Sequence, residues 1–137
     1  MKTIQFKING EPFGWQRIGA DTRGNRPRFF TKEDSKFYAN MVANAAFAAH
    51  KEKPHAGPVA VWVTAIHSRP KSNKDWAPWN RKPDGDNIAK IILDAMNKIV
   101  YNDDRQVIDL RVEKKFVSAA VPRPCTHICV KLMGKTQ

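Results

Sequence analysis

The sequence predicts a single α/β domain over residues 1–137, of element order β-α-β-α-β-β, with a four-stranded mixed sheet and two helices. Three patterns carry this expectation. Lys2 to Asn9 alternates apolar and polar residues, the period of a half-buried strand. Val59 to His67 (VAVWVTAIH) is apolar on both faces, as a strand in the middle of a sheet is. Between residues 87 and 99, apolar residues recur every three or four positions, the period of an amphipathic helix. A chain of 137 residues can bury one core. Its mean hydropathy of -0.55 suits a soluble globule.

In the first strand Ile4, Phe6 and Ile8 share a face, and Asn9-Gly10 with Pro12 end it. Gly14 to Phe30 has no period and carries Arg17, Arg23, Arg26 and Arg28 against one acid. A one-sign loop of this length reads as an arm that touches phosphates, with Trp15 available to stack on a base or sugar. Thr31 is placed to cap a first helix whose stripe is Phe37, Met41, Ala45 and Ala48. Lys53-Pro54 and Gly57-Pro58 end that helix.

Ser68 to Lys82 is a second basic loop, in which Lys71, Lys74, Arg81 and Lys82 are interleaved with Trp76 and Trp79. Cations among aromatics form a nucleic-acid contact pattern, although both tryptophans could instead cover the core edge. The second helix, about Asn87 to Ile99, has a core stripe of Ile88, Ile91, Ile92, Ala95 and Ile99. Ala89, Leu93, Met96 and Val100 form a second stripe, left for the first helix or for another copy of the chain, so a homodimeric protein is expected. After a turn at Asn102-Asp103-Asp104, Gln106 to Phe116 is a strand with Ile108, Leu110 and Val112 inward. Thr126 to Met133 is the last strand.

Charge narrows the function. A formal net charge of +11 points to a polyanionic partner, most often nucleic acid. Yet the segment from Asp84 to Glu113 holds seven of the 13 acids and only four of the 24 Lys and Arg residues. Asp84 and Asp86 precede the second helix, with Asp86 at its N-cap, and Asp103 and Asp104 follow it. Acids at both ends of a helix could turn toward one site, where like charges need a cation to join them. All-oxygen ligands suit Mg²⁺, or Mn²⁺, over zinc. Lys90 lies one helical turn beyond Asp86, where an ammonium could stabilise charge on a phosphate. Plainer readings are a cap for Asp86, a polar turn for Asp103-Asp104, and a surface pair for Lys90 with Asp86 or Asp94.

Other chemistries lack support. There is no Ser-His-Asp set and no P-loop, so neither covalent catalysis nor a nucleotide cofactor is expected. Cys125 and Cys129 flank His127 on one strand face, but without a second ligand pair they read as free thiols in a reducing compartment. The N-terminus lacks the apolar region of a signal peptide, and no apolar run approaches membrane-spanning length. A cytoplasmic location with no membrane partner is expected.

Asp84-x-Asp86-Asn87, then Lys90, then Asp94-Ala95, then Asp103-Asp104 followed by Gln106 and a strand, together resemble the RusA family of Holliday junction resolvases. The basic loop and first helix extend the resemblance over nearly the whole chain. It implies a small α/β homodimer that resolves four-way DNA junctions with Mg²⁺. It further implies that Asp84, Asp86 and Asp104 are metal-binding catalytic residues, Lys90 the catalytic lysine, and Asp103 a less critical neighbour. Gly85 stands where an aliphatic residue is common in the family, and Lys98 where many members have glycine. The expected function is Mg²⁺-dependent nicking of branched DNA in recombination and repair, close to the nucleoid. The competing readings are a metal nuclease with another branched DNA or RNA target, and a non-catalytic DNA-binding protein.

Overall fold

A computed structural model of the chain describes residues 1–14, 20–21, 28–29, 32–69 and 82–134. Its elements are β1 (Lys2–Asn9), β2 (Ala20–Asp21), β3 (Arg28–Phe29), α1 (Lys32–Ala49), β4 (Val59–His67), α2 (Gly85–Met96), a 3-10 turn (Asp104–Gln106), β5 (Val107–Phe116) and β6 (Cys125–Leu132). Four strands form a mixed sheet of order β1-β6-β4-β5. Strand β4 runs parallel to β5 and antiparallel to β6, and β1 pairs antiparallel with β6. The expected order is met. The two-residue strands β2 and β3 add a small ribbon inside the first basic loop.

Both helices lie on one face of the sheet. That face supplies Ile4 and Ile8 from β1, Val59, Val61, Val63 and Ala65 from β4, and Ile128, Val130 and Leu132 from β6. Against it pack Tyr38, Val42 and Ala46 of α1 and Ile88, Ile91, Ile92 and Met96 of α2. Strand β4 lies between β6 and β5, and all its residues are buried except Trp62 and Thr64, which are half-buried on the far face. On the far face Trp62 holds two cations by its π-face: Arg111 Cζ lies 4.6 Å from the ring centroid and Lys131 Nζ 3.9 Å.

The structure corrects four local expectations. The inward stripe of α1 lies one residue further on, at Tyr38, Val42 and Ala46, while Phe37 is exposed. An alanine-rich helix carries apolar residues around most of its surface, so its phase is weakly marked. Helix α2 starts two residues early, so Asp84, and not Asp86, is its N-cap residue. It also ends three residues early, at Met96. The second stripe of α2 takes the first of its two expected covers, α1, and Ala89, Met96 and Val100 are buried. Ile108 and Leu110 are 68% and 45% exposed, because β5 is an edge strand and α2 does not reach over them.

Helix α2 stops where Lys98 takes a left-handed backbone, with φ of 68°. Its N–H donates to the Tyr101 carbonyl at 2.7 Å, which closes the turn. A Cβ makes this region costly, and glycine is the residue that enters it freely. Lys98→Gly is therefore expected to stabilise the protein by about 1 kcal/mol. Urea unfolding would show a higher midpoint at unchanged slope; a lower midpoint would contradict the cap.

Candidate functional site

One acid group sits at the N-terminal end of α2. Asp84 is the N-cap residue, extended at φ -68° and ψ 154°, and its side chain makes no capping hydrogen bond. The carboxylate is thus turned outward, with Lys82 Nζ 3.4 Å from its Oδ1. Asp86 stands exposed in the first turn. From below, the half-buried Lys114 of β5 approaches the same end. Burial pulls its ammonium below the usual lysine range, while the Asp84 carboxylate holds it up.

The first basic loop is rooted here too. Phe13 stacks on Tyr38 of α1, with ring centroids 5.3 Å apart. Gly14 then passes so close to α2 that a Cβ on it would stand 2.6 Å from Pro83 Cβ and 3.1 Å from Asn87 Cβ. Only glycine allows that approach. The chain leaves for the first basic loop at Gly14 and returns from the second at Lys82, so both loops are tied to the Asp84 end of α2. Arg17, Arg23, Arg26, Lys71, Lys74 and Arg81 lie outside the described residues, with Trp15, Thr31, Trp76 and Trp79; Arg28 is described by its backbone alone.

A second acid group sits beyond the C-terminal end of α2. Gln106 builds it. Its amide nitrogen donates to the carbonyls of His55 (2.7 Å) and Gly57 (2.8 Å), and its amide oxygen accepts from the N–H groups of Asn102 (2.9 Å) and Asp103 (3.0 Å). Asp103 Oδ1 in turn accepts from Arg105 N–H at 2.9 Å, completing a capping box. That backbone bond lowers the Asp103 pKa. Asp104 is pushed the other way, first by desolvation and then by Asp103 and Asp94. The same crowd of acids adds to burial in raising the Tyr101 pKa, and Tyr101 Oη donates to the Leu93 carbonyl at 2.7 Å. Lys90 Nζ reaches Asp94 Oδ2 at 3.4 Å, toward this end of the helix.

The two groups stand apart. Twelve helical residues span about 18 Å, so α2 keeps Asp84 and Asp86 away from Asp103 and Asp104 of the same chain. The expectation that both ends of the helix turn toward one site is not met within one chain, because the intervening helix is regular and its apolar face is locked into the core. Among the described residues, no three His, Cys, Asp or Glu side chains gather closely enough to hold one metal ion. Cys125 and Cys129 are free. Three residues outside the expected set belong to the two ends: Asp94, Gln106 and Lys114. Their signals were present as an i, i+4 partner of Lys90, a capping-box spacing from Asp103, and a cation in an inward row of β5.

The crowding at Asp104 has a pH signature. An acid whose pKa is raised on folding favours the folded state when protonated; that contribution is present at low pH and is lost as pH rises through the folded value. At neutral pH the ionised Asp104 therefore opposes folding. Asp104→Asn should raise the thermal midpoint of protein held in EDTA at pH 7, with the gain vanishing near about pH 3. An unchanged or lower midpoint at pH 7 would contradict the crowding.

Comparison with known proteins bears directly on this arrangement. The family described as endodeoxyribonuclease RusA matches residues 9–129, from the end of β1 into β6. A Bacillus subtilis (strain 168) protein, described as uncharacterized protein YqaN, is 32% identical over 125 residues, covering 83% of this chain and 88% of that protein. No described helix is long and apolar enough to cross a membrane. The match takes in both acid groups, α2 between them and the roots of both basic loops, and the chain belongs to the RusA endodeoxyribonuclease family.

Proposed function

We propose that the protein is a Mg²⁺-dependent endodeoxyribonuclease that resolves four-way DNA junctions by paired nicks, each site being completed by a second copy of the chain. The observation that carries this reading is the separation of the two acid groups along a helix that borders an open sheet edge. Strand β5 ends the sheet, and Ile108 and Leu110 are exposed on it. A second β5 laid antiparallel about a two-fold axis near Asp109 would cover both. The same axis would set Asp104 of the partner subunit opposite Lys114, beside Asp84 and Asp86. Two equivalent sites arise from one such axis.

The donors are carboxylate oxygens throughout, which fits Mg²⁺ or Mn²⁺. Asp84, Asp86 and Asp104 of the partner subunit would hold the ion. When bound, it supplies Lewis-acid activation of a water and neutralises charge on the phosphate. The chain's own cations do the rest. Lys82 and Lys90 present ammonium groups to phosphodiester oxygens. Arg17, Arg23, Arg26 and Arg28 in one loop, and Lys71, Lys74 and Arg81 in the other, hold the DNA backbone on either side. A two-fold pair of sites matches the symmetry of a four-way junction, which ties the enzyme to recombination and repair.

The test is cleavage of a four-way junction against a linear duplex of equal length, with Mg²⁺ and with EDTA. Wild-type protein should cut the junction preferentially and only with the metal. Asp84→Asn and Asp104→Asn should each reduce cutting by at least about 100-fold. Wild-type rates in either variant, undiminished cutting in EDTA, or equal cutting of the duplex would contradict the proposal.

A further inference from the structure

The side chains of β5 that face the helices are Leu110, Val112, Lys114 and Phe116, the partners of Val61, Val63, Ala65 and His67. Three of these four are apolar, as a sheet face under a helix requires. Lys114 breaks the row. It is half-buried, and burial of an ammonium opposes folding unless something compensates. Lys82 repels it and Asp84 attracts it. A methionine would fill the same space without that conflict.

The position lies within electrostatic reach of Asp84. Val112, one pleat earlier on the same face, lies beneath Gly85, where a Cβ would stand 3.7 Å from Val112 Cγ1. The first turn of α2 thus packs directly over β5 at Val112. Lys114 emerges one pleat beyond it, level with Asp84. Lys90, further along α2, has its ammonium 3.4 Å from Asp94 Oδ2, so Lys114 adds a cation on the strand side of the same end.

We propose that Lys114 is a substrate-contacting residue, its ammonium donating to a non-bridging oxygen of the DNA phosphodiester held at the Asp84–Asp86 end of α2. The proposal rests on the endonuclease reading above. A phosphate brought beside Asp84 and Asp86 meets two negative side chains, and a flexible lysine stem rising from the strand below places a compensating charge within the site.

The test uses the full chain and the variants Lys114→Met, Lys114→Gln and Lys114→Arg. Three quantities are measured: Mg²⁺-dependent junction cleavage, junction binding in EDTA over a range of salt, and the thermal midpoint. Lys114→Met and Lys114→Gln should cut about 10-fold to 100-fold more slowly. Their salt dependence of binding should lose the slope of about one phosphate contact per site, roughly 0.9. Their thermal midpoints should equal or exceed that of the wild type, and Lys114→Arg should keep most of both activities. Wild-type cleavage and slope in Lys114→Met would overturn the proposal. So would losses that follow a falling midpoint, or failure of both neutral variants to fold, because either makes Lys114 a packing residue. Wild-type protein that does not cut in Mg²⁺ sinks the endonuclease reading itself; wild-type protein that cuts while Lys114→Met cuts equally sinks only the role of Lys114.

Discussion

Everything about the candidate site depends on the rigidity of α2. Ile88, Ile91, Ile92 and Met96 are buried against the sheet, so the helix can neither bend nor roll without opening the core. A helix fixed in this way is a spacer. Itself about 18 Å long, it stands between two groups of acids, one at its N-terminal cap and one around the turn that follows it. Neither group alone has the donors of a metal centre. The same crossover leaves β5 at the sheet edge with two uncovered apolar residues, so the feature that divides the site also offers the surface that could reunite it across two chains.

The electrostatics follow the same division. The Asp84 end gathers the roots of both basic loops, Lys82 and the intruding Lys114 around two carboxylates. The Asp104 end gathers Asp94, Asp103 and Asp104 with Lys90, Lys98 and Arg105 beside them; Asp103 is satisfied by its turn, while desolvation and its acidic neighbours raise the pKa of Asp104. Bringing the second end of one chain to the first end of another would pair an acid-rich patch with a cation-rich one. It would also relieve at Asp104 the repulsion that each separate chain carries. A net charge of +11 suits a polyanion, and the acids would then be a place for a cation within it.

Much of this was readable from residues alone, for physical reasons that differ by element. β1 and β4 matched their expected bounds because a period of two and a doubly apolar run are strong signals, each closed by Gly or Pro. The acids stood out because carboxylates are scarce in this chain. The start of α2 was misplaced because Asp84 and Asp86 are equally good N-cap residues, and choosing between them takes backbone angles. Alternation in β5 told which side Leu110 faces but neither the register shift at Ile108 nor that the strand lies at the edge, so their exposure was invisible. Alternation from Leu110 and Val112 put Lys114 in the inward row, but only the fold shows that this part of the row lies near Asp84. The capping-box spacing hinted at the local bonds of Gln106 but not at its two bonds to the His55 and Gly57 carbonyls, which lie some 50 residues away.

The central claim is that Asp84 and Asp86 of one chain act with Asp104 of another. Co-expression of Asp84→Asn and Asp104→Asn chains under different affinity tags, with isolation of the mixed dimer, tests it directly. If sites form between chains, one site of the mixed dimer carries both substitutions and the other carries none, so the mixed dimer nicks a four-way junction in one strand while both parent variants are inactive. If each site forms within a chain, every site carries one substitution, and a mixed dimer as inactive as its parents would contradict the account.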